Sequence, residues 1–161
     1  MGKNLTDVKA VVNGAGSAGI AVTKLLMAVG QNVRLCDKAG AIYRGMPGLT
    51  DAQAEMAEIT NPENKQGTLG DVIEGADVFL GFSAPGCLKP EFVKKMAKDA
   101  VIFACANPTP EIFPDEALPP VPAWWGQAVP TIANQINNVM VFPGIFRGAF
   151  RMCAPAKSTM K

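Results

Sequence analysis

Short apolar runs alternate along this chain with longer stretches in which apolar residues recur at helical spacing, and turn residues separate the two. Val8 to Asn13 reads as a first strand. Ser17 to Val29 reads as its helix, with Ile20, Leu25, Leu26 and Val29 at the apolar positions, and Gly30 stops it where a left-handed residue costs least. Asn32 to Cys36 is a second strand ending in Asp37, followed by a glycine-bearing loop from Lys38 to Thr50. Asp51 to Ile59 reads as a helix that Asn61-Pro62 ends, and Thr68 to Gly75 as a further helical piece. Val78 to Phe82 is continuously apolar, as a strand buried on both faces of a parallel sheet must be. After the turn Ser83-Ala84-Pro85-Gly86, Pro90 opens a helix to about Asp99, and Val101 to Ala104 is the next buried strand. The pattern weakens between Pro108 and Pro130, then recovers in a helix starting near Asn134 or Asn137. This alternation predicts an α/β architecture: one doubly wound domain over residues 1–161 with a mostly parallel sheet.

The turn after the first strand carries candidate chemistry. Gly14-Ala15-Gly16-Ser17-Ala18-Gly19 is G-x-G-x-x-G between a strand and a helix, the setting that gives this motif its meaning. Gly14 permits a turn too tight for a Cβ, Gly16 lets the backbone approach a pyrophosphate, and Gly19 lets the helix lie against its strand. Amide groups at the helix N-terminus then face the phosphates, where the helix dipole favours negative charge. Asp37 falls about 20 residues on, where the fingerprint expects an acid for the adenosine ribose. Ser83 to Gly86 and Asn107 also follow strands. Ligands in such a sheet sit beyond the carboxyl ends of the strands, so these segments converge on one crevice. The expectation is a Rossmann-type domain that binds a dinucleotide.

Composition narrows the remaining classes. The chain has 161 residues, enough for one domain with a real core, and its 48% hydrophobic content hints at an apolar face covered by another surface. A formal net charge of +1 without a basic cluster argues against a nucleic-acid partner. Lys94, Lys95 and Lys98 read as the solvated side of a helix. With no histidine, and with Cys36, Cys87, Cys105 and Cys153 scattered, the spacing of a structural zinc site is missing. Reduced thiols and the lack of an apolar leader point to the cytoplasm. Val139 to Phe150 is broken by Pro143, Gly144 and Arg147, so no membrane span is expected.

The segments VVNGAGSAGIAVTKLL, LCDKAGAIYRG, ITNPENKQGTL, ADVFLGFSAPG, IFACANPTPEIFPDEA and NQINNVMVFPGIFRGAF occur in this order. Together they resemble the cofactor-binding domain of malic enzymes, closest to the bacterial type, from about Leu5 to Phe150. The resemblance implies a parent enzyme that oxidises and decarboxylates malate to pyruvate and carbon dioxide. It would use NAD or NADP with Mg2+ or Mn2+ and work as a homodimer. It further implies that Gly14, Ala15, Gly16, Ser17, Ala18 and Gly19 cradle the pyrophosphate and that Asp37 meets the ribose. Ser83, Ala84, Pro85 and Gly86 would border the adenosine and nicotinamide side. Asn107 and Asn138 would reach the nicotinamide ribose or the substrate carboxylate, where an amide offers donor and acceptor without adding charge.

In that family the acid–base tyrosine and lysine and the metal carboxylates precede the glycine motif, in an N-terminal domain with no matching positions here. Tyr43 is the only tyrosine and matches nothing catalytic; Asp51, Glu55, Glu58, Asp71 and Glu74 read as surface charge. The family's A-T-G-R-S-D segment is replaced by Ala123-Trp124-Trp125-Gly126-Gln127-Ala128, in which the tryptophans read as core or interface packing. The tail from Arg151 diverges and ends before the family's C-terminal helices. The chain alone is therefore expected to bind cofactor but not to oxidise malate at a useful rate. Two other readings stand beside this one: a non-catalytic nucleotide-binding or interaction module, and a domain of another dehydrogenase on the same fold.

Overall fold

The computed structural model describes residues 2–117, 124–127, 136 and 138–152. Strand β1 (Lys9–Asn13) leads through helix α1 (Ser17–Ala28) to β2 (Asn32–Asp37) and a two-residue β3 (Gly40–Ala41). Helices α2 (Asp51–Ile59) and α3 (Leu69–Val72) precede β4 (Val78–Gly81), and α4 (Pro90–Val93) precedes β5 (Val101–Ala104). Beyond these come β6 (Trp124–Gln127), a 3-10 turn over Asn138–Val141, and α5 (Phe142–Met152). The strands form one sheet in the order β3-β2-β1-β4-β5-β6. Only the β2–β3 pair is antiparallel.

Alternate side chains of each strand enter one of two cores, as a sheet covered on both faces requires. Ala10, Val12, Val33 and Leu35 pack with Met56 and Ala57 of α2 and with Ile20, Leu26 and Met27 of α1. Val11, Cys36, Phe79 and Ile102 point the other way, against Val72 of α3, Val93 of α4 and the loop residues Leu88 and Met96. The expected doubly wound α/β fold is therefore present. β1 lies between β2 and β4, and the chain direction of the winding reverses at the β1–β4 junction.

Several expected details differ. Leu25 and Val29 face solvent, 69% and 54% exposed. α1 instead turns Gly19 and Thr23 inward, because the close approach at Gly19 sets its rotation. The helix opened by Pro90 ends at Val93 rather than near Asp99. Lys95 and Met96 donate only three residues back, to Phe92 and Val93. The Ala97 amide goes to Ala76 O, and Lys95 O accepts from Gly75 N, so bonds to the neighbouring loop replace helical ones. The piece expected over Thr68 to Gly75 is one turn, Leu69–Val72, opened by a capping box of Thr68 and Asp71. β3 and β6 lie where loop and proline-rich coil are expected. Residues 134, 137 and 153 lie outside the described residues, as do the side chains of Trp124, Trp125 and Asn138. Asp51, Glu55, Glu58, Asp71 and Glu74 are exposed, as expected, and so are Lys94, Lys95 and Lys98. Phe142, Ile145 and Phe146 of α5 are exposed too, the two phenyl rings stacked with centroids 5.6 Å apart.

Arg34, in the middle of β2, is buried and needs acceptors. Its guanidinium donates to Glu63 Oε2 at 2.6 Å and to Val72 O at 3.0 Å, tying the loop after α2 and the end of α3 to the sheet. The Arg34 hydrogen bond, and then its charge, hold the Glu63 carboxyl below its usual value. A carboxyl with a lowered folded-state pKa contributes stability above its unfolded value and loses it as pH falls through the folded one. Glu63→Gln should therefore be slightly less stable than wild type at pH 7. The gap should close as pH drops below 4.5. The effect is small because Glu63 is half exposed. Paired thermal melts from pH 7 to pH 3 check it, and a gap that widens in acid contradicts it.

Candidate functional site

β1 ends at Asn13, and the chain turns sharply at Gly14, whose φ of +113° lies in the region that favours glycine. Gly14 N donates to Cys36 O at 2.8 Å, and a Cβ at Gly14 would stand 2.4 Å from Phe82 O. Gly19 is closer still: a Cβ there would lie 1.8 Å from Gly14 O. A Cβ at Gly16, by contrast, would meet nothing within 4 Å. The three glycines therefore differ in kind, two required by packing and one facing open space. Gly16 is the N-cap of α1, and no side chain caps that helix. Gly16, Ser17 and Ala18 are exposed, so first-turn amides are presented outward at the dipole's positive end.

Asp37 closes β2, half buried. Its Oδ1 accepts from Lys38 N at 2.9 Å and its Oδ2 from Gln53 Nε2 at 2.8 Å. Gln53 Nε2 also donates to Ala15 O at 3.3 Å, and the same side chain completes the capping box of α2 with Thr50. The start of α2 thus braces both the glycine turn and the acid. Each Asp37 oxygen keeps acceptor capacity for an incoming hydroxyl.

A crevice of about 590 Å³ opens at this end of the sheet, within the usual range for a small-molecule site. It brings together Asp37, Ser83 and Ala84 with Asn13, Lys38, Thr68 and Cys87. The Gly14–Gly19 turn continues directly from Asn13, and none of its six residues is among the lining residues. Pro85, Gly86 and Asn107 are exposed at the ends of β4 and β5 and are not among the lining residues. Asn138 lies in the 3-10 turn before α5.

The lining is held by a short polar network. Asn13 Nδ2 donates to Ser83 Oγ at 2.8 Å and to Cys87 Sγ at 3.2 Å, so the end of β1 is stitched to the loop after β4. Beneath that loop the Glu111 carboxylate is fully buried and accepts from two backbone amides, Ser83 N at 3.1 Å and Ala106 N at 2.9 Å. Burial, with Glu111 adding to it, pushes the Cys105 thiol up to about 11. Burial likewise pushes Cys36 up to about 12. Both stay protonated at neutral pH and are not nucleophiles.

Sequence reasoning gives no role to Asn13, Gln53, Thr68 or Glu111. Asn13, Thr68 and Glu111 fall inside the family-like segments, and the other signals are the strand-end position of Asn13 and the spacing T-x-x-Q and T-x-x-D of two capping boxes. Tyr43 is half buried and lies outside the crevice lining. Among the described residues no group of three or more Cys, Asp or Glu is placed to hold a metal ion. No helix among them is long and apolar enough to cross a membrane.

A parallel sheet whose winding reverses beside β1, a glycine turn into α1 and an acid at the end of β2 define the Rossmann class of dinucleotide-binding domains. The family model described as malic enzyme, NAD binding domain, matches residues 1–158, and the chain belongs to that family. An NAD-dependent malic enzyme of Geobacillus stearothermophilus is 53% identical over 148 residues, which are 91% of this chain and 31% of that protein. An NADP-dependent malic enzyme of Escherichia coli is 45% identical over 96% of this chain and 21% of its own length. The crystal structure of an NAD-dependent malic enzyme from Thermotoga maritima superposes with a TM-score of 0.86 at 43% identity, covering 91% of this chain and 40% of that one. The chain thus spans from about a fifth to just over a third of the length of the curated relatives it matches.

Proposed function

We propose that this chain binds NAD across the crevice and orients it for a malic enzyme that oxidatively decarboxylates malate to pyruvate and carbon dioxide. The observation that carries this reading is the meeting of three features at one end of the sheet: the outward amides at Gly16, the braced Asp37 carboxylate and the 590 Å³ crevice. The pyrophosphate lies over Gly14, Ala15, Gly16, Ser17, Ala18 and Gly19, and the adenosine ribose donates to Asp37. Ser83, Ala84, Pro85 and Gly86 border the adenosine and nicotinamide side, with Asn107 and Asn138 reaching the nicotinamide ribose or the substrate carboxylate. The described residues contribute binding and orientation, which supply proximity but no proton transfer. Because they offer no metal site, Mg2+ or Mn2+ and the acid–base groups are assigned to other residues of the parent enzyme. That enzyme is a cytoplasmic homodimer in this reading.

Relatives of both cofactor types exist, so selectivity needs its own argument. Asp37 accepts from the ribose hydroxyls of NAD but sets charge against charge with the phosphate of NADP. Exposed Lys38 beside it softens that repulsion without reversing it. Calorimetric titration of both cofactors should therefore find NAD tighter, and Asp37→Ser should shift the ratio toward NADP by about tenfold. Equal affinities that Asp37→Ser leaves unmoved would remove Asp37 from the ribose site.

A further inference from the structure

Glu111 has no role in the binding reading above, yet it is the fully buried carboxylate nearest to the crevice wall. Burying a carboxylate is costly unless its oxygens are satisfied, so its partners indicate what it is for. Oε1 accepts from Ser83 N, which lines the crevice at the start of the loop after β4. Oε2 accepts from Ala106 N, immediately before Asn107 at the end of β5. The backbone of the same segment completes the brace: Gly86 N donates to Pro110 O at 3.2 Å and Leu88 N to Glu111 O at 3.1 Å. The start, middle and end of the loop after β4 are therefore all held from residues 110 and 111. Gly81 makes room for the carboxylate, since a Cβ there would stand 2.3 Å from Glu111 Cδ.

We propose that Glu111 is a positioning residue that clamps the loops after β4 and β5 into one surface for the nicotinamide half of the dinucleotide. The proposal rests on the reading of the crevice as a dinucleotide site. In this fold each half of the sheet takes one mononucleotide. Asp37, on β2, belongs to the adenosine half and Asn107, following β5, to the other; the loop opened by Ser83 after β4 lies where the two halves meet. None of Glu111's hydrogen bonds reaches the β2 side. Only a carboxylate suits the task, because both of its oxygens accept. A glutamine of the same shape would turn an NH2 group toward one of the two amides and lose that bond.

The test compares NAD with ADP-ribose, which carries the adenosine half and the pyrophosphate but no nicotinamide. Both are titrated calorimetrically against wild type, Glu111→Gln, Glu111→Asp and Asp37→Ser, each checked for folding by circular dichroism. Glu111→Gln should weaken NAD by about fivefold or more while ADP-ribose stays within about twofold. Bound NADH should also lose part of its fluorescence enhancement, which reports the nicotinamide environment. Glu111→Asp keeps the charge but is one methylene too short to span both amides, so it should behave as Glu111→Gln does and serves where that variant fails to fold. Asp37→Ser should weaken both ligands. If either folded Glu111 variant weakens NAD and ADP-ribose equally, or neither, the clamp is merely structural and the proposal is overturned. If wild type binds neither ligand, the dinucleotide reading itself has failed.

Discussion

Gly19→Ala should destabilise the chain by about 3 kcal/mol, the upper end of ordinary overpacking, although only a methyl group is added. The new carbon would sit 1.8 Å from Gly14 O and 3.0 Å from Gly14 C, both backbone atoms of a turn that cannot yield like a side chain. Gly14 has no room to retreat, since its own Cα faces Phe82 O across the β1–β4 junction. α1 must therefore lift from the sheet, loosening Thr23 and the half-buried Ile20, Leu26 and Met27 from their core. A domain of this size has about 5–15 kcal/mol in total, so a loss of 3 is large. Urea denaturation should show a lower midpoint with an unchanged slope. A midpoint equal to wild type would mean that α1 does not lie on Gly14 as described.

Gly16→Val should do the opposite, leaving the fold intact and weakening binding. Gly16 has φ −87° and ψ −172°, extended backbone that valine adopts readily, and a Cβ there meets open space. The free protein should keep its stability within about 0.5 kcal/mol. The branched side chain then fills the space that the pyrophosphate needs in front of the first-turn amides. Dinucleotide affinity should fall by about tenfold or more, equivalent to 1.4 kcal/mol. Unchanged affinity in the folded variant would remove the glycine turn from the proposed site. The pair of substitutions separates the two demands on one motif: Gly19 serves the fold, Gly16 the ligand.

Much of this was legible because the signals were local. A strand, three spaced glycines, a helix and an acid at the next strand end form a contiguous pattern, and β5 was bounded by its own apolar run. β3 was hidden because two residues hold no periodicity, and β6 because its flanks are rich in proline. Leu25 and Val29 face solvent despite their hydrophobicity, because hydrophobicity alone does not fix a helix's rotation; here a backbone contact at Gly19 does. α4 stops short of Asp99 because Ala97 N and Lys95 O bond to a loop some twenty residues away instead of along the helix. Glu111 and Gln53 were invisible for the same reason. A glutamate in Pro110-Glu111-Ile112 and a glutamine on a polar helix look like surface residues until the partners they reach across the sheet are known.

The two-residue strand at one end of the sheet also bears on how copies of this chain meet in solution. An unpaired strand edge is a template for another chain, and long flat edges invite cross-β association. Here the boundary strand runs antiparallel for only Gly40 and Ala41, and the outward Ala41 amide is already committed to Gly67 O at 2.9 Å. Gly40 lies so close to that same carbonyl that no Cβ would fit between them. An incoming strand would find neither a free donor at Ala41 nor the length to register against, so this margin of the sheet is closed to fibril growth by its own loop.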